Sequence, residues 1–381
     1  MQRKEELLMI TGIVAEYNPF HSGHYYQIER IKESGSDGIV AVMSGNFVQR
    51  CEPAFFRKHA RAEAAVKGGV DLVIELPVRF ATASAEKFAF GAVYLLDLCG
   101  FEQINFGSEC GDISLLAACA DKLIEADKNG DLAKALSREE SFARARQKIG
   151  GEILSEPNNI LGVEYIKAIK NLGSKMKLST IQRTFGYHAS ASELRKNIPS
   201  GNFEGLPEST KEIILREKEF GKLPAEMKNL EKILLAFLRN AREEDFEGIY
   251  GINEKEGFGN RILNARTAKS LDEAFDMIKS KKYPLSTAKR GLLSAYLRIP
   301  KDDLLPEYIR PLAFNEKGRE ILKNISKKVM VVNNLAELTN GPCEIFAEEE
   351  RRATDLFGLA LPTIQKGFAE FTEKNIPYVK Q

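Results

Sequence analysis

The sequence predicts an α/β fold, with a Rossmann-like parallel sheet in the first half of the chain and a mainly helical second half. Up to about residue 182, short apolar runs alternate with amphipathic helical patterns. Such alternation is typical of parallel strands covered by helices on both faces. Beyond residue 205, charged amphipathic helices dominate. We therefore predict two domains, 1–204 and 205–381, with a boundary near Gly201–Pro207.

Apolar runs that end at turn residues or at prolines define the predicted strands. The first four are Met9–Glu16, Gly38–Met43, Asp71–Leu76 and Gln103–Phe106, and the fifth is Leu178–Gln182. Helical periodicity covers His24–Glu33, Arg57–Lys67, Ala83–Cys99 and Ile113–Ala126, with a charged helical insertion at Asp127–Gly150. In the second half, helices are predicted at Glu231–Arg239 and Ala288–Leu297, and a short strand at Lys328–Val332. Because such sheets bind ligands beyond the carboxyl ends of their strands, we expect the site at that edge.

Composition limits the class of protein. The chain has 381 residues, 43% of them hydrophobic, a formal net charge of +1 and five cysteines without C-x-x-C spacing. The odd count and the spacing argue against a disulfide framework and a structural zinc site, and we predict no dedicated metal site. No apolar run approaches the ~20 residues of a membrane span, and no signal peptide is visible, so a cytoplasmic location is expected. The near-neutral charge excludes a polybasic chain but is compatible with a basic face.

The segment Glu16–His24, EYNPFHSGH, follows the first predicted strand and opens a helix. A helix N-terminus offers free backbone N–H groups and a partial positive charge, which favour phosphate. Gly23 allows a phosphate to approach the backbone closely. His21 and His24 are three residues apart and so share a helix face, from which both can donate to phosphate oxygens and stabilise developing charge. We predict that these two histidines are catalytic.

Further segments lie where the predicted fold places ligands. Ser44–Arg50 follows the second strand and Phe106–Glu109 the fourth, each with a glycine that permits close approach. Pro157–Asn159 precedes a helix, where an asparagine is most simply a cap. Ser190–Arg195 opens with capping-box spacing, and a helix start that carries a hydroxyl and an arginine suits phosphate. Taken alone, an ordinary cap with an exposed arginine is the alternative for this last segment.

Two groups of cations are candidates for RNA contact. Phe55–Arg61 interleaves aromatic and basic side chains, a pattern suited to base stacking and phosphate contact. The second group lies on predicted helices of the second half and consists of Lys279, Lys281, Lys282, Lys289, Arg290 and Arg298. Such lysines and arginines supply affinity for the phosphate backbone. A solvated helix face is the alternative for both groups.

Together these motifs resemble the bacterial tRNA(Met) cytidine acetate ligase family, within the HIGH nucleotidyltransferase superfamily. The resemblance covers at least residues 10–195 and is weaker in the second half. Its motifs stand here as EYNPFHSGH, AVMSGNFVQR, GVDLVIELP, FGSE, PNNILGVEY and YHASASELR. There are two departures from the pattern. Cys51 stands where the family usually has a glycine, and Ser192 replaces the threonine of the superfamily signature I-S-S-T-x-x-R.

The resemblance implies an adenylation followed by an acyl transfer. Acetate and ATP, with which Mg²⁺ is expected, would give acetyl-adenylate and pyrophosphate. The acetyl group would then pass to the exocyclic amine of the wobble cytidine of elongator tRNA(Met), leaving N4-acetylcytidine and AMP. The residues expected at the ATP site are Val14, Ala15, Glu16, Tyr17, Asn18, Pro19, Phe20, His21, Ser22, Gly23, His24, Tyr25, Tyr26, Gln27, Gly107, Asn158, Arg183, Ser192 and Arg195. Those expected to contact tRNA are Arg57, Lys58, Arg61, Lys281, Lys282, Lys289 and Arg290.

Two other functions are compatible with parts of the sequence. A HIGH-type adenylyltransferase with a small-molecule acceptor, phosphopantetheine- or nicotinate-like, would use the same ATP motif. Such enzymes are generally single compact domains, and the long helical second half argues against one. A catalytically silent RNA-binding protein on this fold is the second alternative, and the intact pair of histidines argues against it. Pyrophosphate exchange that depends on acetate distinguishes the ligase from both.

Overall fold

Five parallel strands form most of the central sheet in a computed structural model, which describes residues 9–138, 142–183, 190–253, 257–373 and 378–380. They are β1 (Ile10–Ala15), β2 (Gly38–Ser44), β3 (Leu72–Leu76), β4 (Gln103–Ser108) and β5 (Lys177–Gln182). Their order is β5-β4-β1-β2-β3, and each neighbouring pair is parallel. The five predicted strands are confirmed, with ends that differ by one or two residues.

A sixth strand, which the sequence analysis did not predict, extends this sheet. It is β7 (Pro311–Phe314), which comes from the second half of the chain and runs antiparallel to β3. A separate two-stranded ribbon pairs β6 (Tyr308–Ile309) with β8 (Met330–Val331), and β8 confirms the short strand predicted near the C-terminus. The division of the chain at residues 204 and 205 stays a prediction.

Helices alternate with the strands in the first half and dominate the second. Those of the first half are α1 (Ser22–Glu33), α2 (Lys58–Lys67), α3 (Val78–Ala81), α4 (Ala85–Leu98), α5 (Ile113–Lys128), α6 (Asp131–Arg138), α7 (Phe142–Gly150), α8 (Pro157–Leu172) and α9 (Ala191–Asn197). Those of the second are α10 (Glu208–Glu219), α11 (Glu231–Asn240), α12 (Phe258–Asn264), α13 (Leu271–Ile278), α14 (Leu285–Leu297), α15 (Glu316–Ile325), α16 (Glu344–Ala360) and α17 (Ala369–Thr372). The predicted helical insertion is confirmed as α6 and α7.

The sheet is buried on both faces, which explains why β2 reads as a continuous apolar run. Val40 and Val42 pack into the layer that contains α4 and α8, whereas Ile39 and Ala41 pack into the layer that contains α1 and α2. A third apolar cluster joins α11 to α14 with α16. Within the described ranges, no helix is long and apolar enough to cross a membrane. The turns after β1, β2, β4 and β5 share one edge of the sheet, since these strands are parallel.

Candidate active site

The turn between β1 and α1 holds two histidines in fixed orientations. His21 is the N-cap of α1, and its Nδ1 accepts a hydrogen bond from the Gly23 amide at 3.0 Å. The Nδ1 of His24 accepts one from the His21 amide at 3.3 Å, which completes a capping box made of two imidazoles. An imidazole nitrogen that accepts an amide hydrogen carries no proton, so in each neutral ring the proton lies on Nε2. Both rings therefore present an Nε2–H donor.

The backbone amides of this turn do not behave as the sequence predicts. We expected free N–H groups at the start of α1. The Ser22 amide instead donates to the Gly205 carbonyl at 3.0 Å, and the Gly23 amide is taken by His21. The His24 and Tyr25 amides both donate to the His21 carbonyl, at 2.9 and 3.1 Å, so the first amides of α1 are engaged within the protein.

The rest of the turn is packed tightly against its neighbours. Tyr17 is buried in a left-handed conformation (φ 44°), and its ring lies edge-on to Phe20 and His24 with centroids 5.1 and 4.9 Å away. Side chains rarely adopt this backbone conformation, so the surrounding contacts hold it in place. Asn18 accepts from the Phe55 amide at 2.7 Å through its side chain. The histidines are thus carried by a turn with little freedom to move.

The second signature segment reaches this turn. Ser190 and Glu193 form the predicted capping box at the start of α9. Arg195, in the second turn of α9, donates from Nη1 to the Asn18 carbonyl at 2.7 Å. Ser192 is exposed on the first turn of α9. The start of the YHASASELR motif, residues 187–189, lies outside the described residues.

Arg61 connects the carboxyl ends of β1 and β2 through hydrogen bonds. It is fully buried, and its guanidinium donates to four backbone carbonyls. Nε donates to the Phe56 carbonyl at 3.1 Å and Nη2 donates to the Ser44 carbonyl at 3.0 Å. Further hydrogen bonds are donated to the carbonyls of Glu16 and Gly45. Burial lowers the pKa of Arg61 to about 10. Its predicted contact with tRNA is wrong, because the guanidinium is enclosed and its donors are used inside the protein.

Lys58 also fails as an RNA contact. Its side chain is 2% exposed, and Nζ lies 2.6 Å from Glu75 and 2.5 Å from Glu370. Arg310 completes the network, at 3.0 Å from Glu75 and 2.5 Å from Glu370. Arg57 remains at the surface with 33% of its side chain exposed, although it pairs with Glu217 through two bonds of 2.7 and 2.8 Å. Lys58 and Arg61 of this segment are therefore buried inside the protein, and Arg57 is the cation of the segment that reaches the surface.

The predicted ATP residues on β4, β5 and α8 lie at the same edge. Arg183 follows β5, and its stem covers Gly107 so closely that a Cβ there would lie 3.4 Å from Arg183 Cγ. The expected asparagine cap is wrong, because Asn158 is the second residue of α8 and donates from its side chain to a Glu109 carboxylate oxygen at 2.6 Å, while the other oxygen of Glu109 accepts the Asn159 amide at 2.8 Å. Gln27 on α1 donates to Asn105 on β4 at 2.9 Å. Together with the bond from Arg195 to Asn18, these contacts join the segments after β1, β4 and β5 at one edge of the sheet, and the role of their residues in ATP binding stays a prediction.

Cations of the second half approach the same edge through α14. Lys289 pairs with Glu52 at 2.5 Å, and Arg290 donates to the Thr82 carbonyl at 3.0 Å. Helix α14 is thereby held against the loop that follows β2 and against the end of α3. Lys281 and Lys282, between α13 and α14, have exposed side chains. The described residues contain no group of three or more His, Cys, Asp or Glu side chains able to hold a metal ion.

A parallel sheet whose first strand runs into a stacked histidine pair defines a nucleotidyltransferase of the HIGH class. Residues 8–370 match the family model described as HIGH Nucleotidyl Transferase. The chain is 39% identical over 388 residues to a "tRNA(Met) cytidine acetate ligase" of Thermoanaerobacter sp. (strain X514), covering 92% of this chain and 95% of that protein. A protein of the same name from Clostridium perfringens is 37% identical over 395 residues, covering 93% and 96%. The chain therefore belongs to the tRNA(Met) cytidine acetate ligase family of HIGH nucleotidyltransferases, which confirms the resemblance found in its motifs.

Solved structures agree with this assignment. A crystal structure of Thermotoga maritima TmcAL bound with alpha-thio ATP matches with a TM-score of 0.88 and 35% identity, covering 98% of this chain and 100% of that one. The apo form of the Thermotoga protein matches with a TM-score of 0.88 and 34% identity. The predicted fold class is confirmed for both halves of the chain, since the match extends over nearly the whole length.

Proposed function

We propose that this protein ligates acetate to the wobble cytidine of elongator tRNA(Met) in an ATP-dependent reaction that gives N4-acetylcytidine. The observation that carries the proposal is the histidine pair with both Nε2–H groups oriented by backbone amides. It is supported by relatives named tRNA(Met) cytidine acetate ligase over more than nine tenths of the chain. A related protein of known structure binds an ATP analogue.

In the first half-reaction, a carboxylate oxygen of acetate attacks the α-phosphorus of ATP and pyrophosphate leaves. We propose that His21 and His24 donate from Nε2 to the phosphate oxygens on which charge develops. Fixed donors of this kind act on the transition state without reorganising during the reaction. Arg183 and Arg195 are the proposed guanidinium partners of the phosphates, with Gly107 and Asn158 on the nucleoside side. Magnesium is expected to arrive on the ATP phosphates, which supply the oxygen ligands that it prefers.

In the second half-reaction, the exocyclic amine of the cytidine takes the acetyl group from the adenylate and AMP leaves. A tRNA is far larger than the nucleotide cleft, so a second surface is needed to hold its body. We propose Lys281, Lys282, Lys289 and Arg290 for that surface, with Arg57 as a further candidate. The ion pair between Lys289 on α14 and Glu52 in the loop after β2 supports this choice for the cations of α14.

The test is mass spectrometry of tRNA(Met) incubated with the protein, ATP and labelled acetate. An increase by one labelled acetyl group at the wobble cytidine is the expected result. Acetate-dependent exchange between ATP and labelled pyrophosphate tests the first half-reaction separately. Exchange that needs a phosphopantetheine- or nicotinate-like acceptor instead of acetate would replace the ligase by an adenylyltransferase, and exchange that needs no carboxylate would fit neither function.

A further inference from the structure

Glu16 occupies the last position before the histidine turn, at the carboxyl end of β1. Its side chain is half-buried. One carboxylate oxygen, Oε1, accepts a hydrogen bond from the Gln49 amide at 2.9 Å, which orients the group toward the loop after β2. No donor among the described residues lies within hydrogen-bond distance of the second oxygen, Oε2. Glu16 is therefore a positioned carboxylate with one oxygen uncommitted to the protein.

Neighbouring carboxylates at this edge are engaged elsewhere. Glu75 is enclosed between Lys58 and Arg310, and Glu52 pairs with Lys289. Glu109 binds the start of α8 with both oxygens, through Asn158 and the Asn159 amide. Unlike Glu75 and Glu109, Glu16 has one oxygen that accepts no hydrogen bond from the described residues, and unlike Glu52 it takes part in no ion pair with them.

The charged and titratable groups around Glu16 act in opposite directions. Burial raises the pKa of Glu16, while the Gln49 amide and the charges of nearby arginines counteract the rise. The groups that face it are Arg61 on α2, Arg195 on α9, Arg50 and Cys51 in the loop after β2, and Tyr165 on α8. The net effect is a carboxylate of raised basicity, since a higher pKa makes an ionised acid a better proton acceptor.

The acyl transfer requires such an acceptor. The exocyclic amine of cytidine is a weak nucleophile, because its lone pair is delocalised into the ring, and it must lose a proton when it becomes an amide. We propose that Glu16 is the general base of the acyl-transfer step, with Oε2 taking the proton from the cytidine amine. The inference rests on the proposed function, and it deepens it by naming the residue that activates the nucleophile.

The acyl transfer replaces one bond to the acetyl carbon by another. A bond forms between the amine nitrogen and the acetyl carbon. The bond between that carbon and the AMP phosphate oxygen breaks, and AMP leaves with the bonding pair. The amine proton passes to Glu16 Oε2 and is later released to water. Adenylate formation involves no proton abstraction from acetate, which is already ionised, so Glu16 is not needed as a base there.

The experiment compares the two half-reactions in Glu16→Gln and Glu16→Asp. The glutamine amide keeps an oxygen for the Gln49 amide but cannot act as a base. Glu16 is also among the residues expected at the ATP site, so we expect acetate-dependent pyrophosphate exchange to fall in Glu16→Gln, but much less than acetyl transfer. We expect single-turnover acetyl transfer from the enzyme-bound adenylate to tRNA to fall by about 10²–10⁴-fold, the usual contribution of a general base. Glu16→Asp should retain part of the transfer activity, and Glu33→Gln, at the exposed end of α1, serves as the matched control.

The pH profile provides a readout that a structural role would not change. Transfer by the wild type should slow as the pH falls through the raised pKa of Glu16, whereas the residual transfer of Glu16→Gln should lose this dependence. A parallel fall of exchange and transfer in both variants overturns the proposal and assigns Glu16 to the nucleotide site. Unchanged transfer in Glu16→Gln, or wild-type transfer that is independent of pH, also overturns it. Absence of acetate-dependent exchange in the wild type would instead refute the proposed function itself.

Discussion

His21 and His24 stack face to face, with their ring centroids 3.8 Å apart and their planes inclined by 25°. The capping hydrogen bonds to both Nδ1 atoms hold the rings in a tautomer that donates from Nε2. A local capping motif thus sets the tautomer of the neutral rings and the orientation of two groups that are expected to act on phosphate.

We predict that His24→Asn nearly abolishes adenylate formation while the protein stays folded. The asparagine oxygen lies close to the position of Nδ1 and can still accept the His21 amide, but the Nε2–H donor is lost. Removing one such donor typically lowers turnover by about 10²–10³-fold. His24→Gln is the matched variant, since its amide nitrogen approaches the Nε2 position, and it should retain more activity. Near-normal pyrophosphate exchange in folded His24→Asn would remove His24 from the catalytic residues.

We predict that Arg183→Ala and Arg195→Ala impair ATP use more than tRNA binding. Arg183 lies over Gly107, so its loss should mainly raise the KM for ATP. Arg195 also holds the Asn18 carbonyl, so its loss should lower kcat as well. Lysine does not reproduce the fork of donors of a guanidinium, and Arg195→Lys should be only a partial rescue. The exposed neighbour Lys196→Ala is the control, and loss of tRNA binding with intact exchange would move either arginine to the RNA surface.

We predict that the double variant Lys281→Ala/Lys282→Ala weakens tRNA binding and leaves acetate-dependent exchange unchanged. Each phosphate contact removed should reduce the salt slope of tRNA affinity by about 1. Lys323→Ala/Lys327→Ala, on α15 and two residues beyond its end, removes the same charge from exposed positions and is the matched control. Lys289→Ala is less selective, because it also releases Glu52 in the loop after β2. A normal KM for tRNA and a normal salt slope in the double variant would place the RNA surface elsewhere.

Features with a local signal were predictable from sequence, and features set by distant partners were not. The histidine turn was found because strand, turn and helix follow one another directly in the chain. Strand β7 was missed because four residues starting with a proline carry little strand signal, and their partner β3 lies far away in sequence. The burial of Lys58 depends on Glu370 and Arg310, which no local pattern connects with it. The spacing of the two histidines in the sequence also does not predict the orientation of either imidazole ring.

Cys51 offers a test of backbone strain. It stands where the family pattern usually has a glycine, and its φ of 58° lies in the left-handed region. This conformation costs a residue with a Cβ roughly 1–2 kcal/mol. We predict that Cys51→Gly is more stable than Cys51→Ala by about 1 kcal/mol, the reverse of the usual order of these two residues. Urea unfolding of the pair measures the difference, and an alanine variant as stable as the glycine variant would contradict the strain.

Lys58 should matter for stability and not for RNA. Its ammonium lies between Glu75 and Glu370, and Lys58→Met removes a positive charge that balances these buried carboxylates. Breaking a buried pair in this way typically costs about 3–5 kcal/mol, whereas Lys67→Met, on the surface of the same helix, should cost at most about 1 kcal/mol. Burial alone would raise the pKa of Glu370, but the charges of Arg310 and Lys58 outweigh it and hold this pKa well below its usual range.

A carboxyl group with a depressed pKa in the folded state contributes stability above its unfolded pKa and loses it as the pH falls through the folded value. The destabilisation caused by Lys58→Met should therefore be largest near neutral pH and shrink on acidification. Urea unfolding at a series of pH values measures this, and a difference that stays constant with pH would contradict the ion-pair account. At a temperature where both proteins are folded, the salt slope of tRNA binding should be the same in Lys58→Met as in the wild type. The reason is that the buried ammonium cannot contact a phosphate.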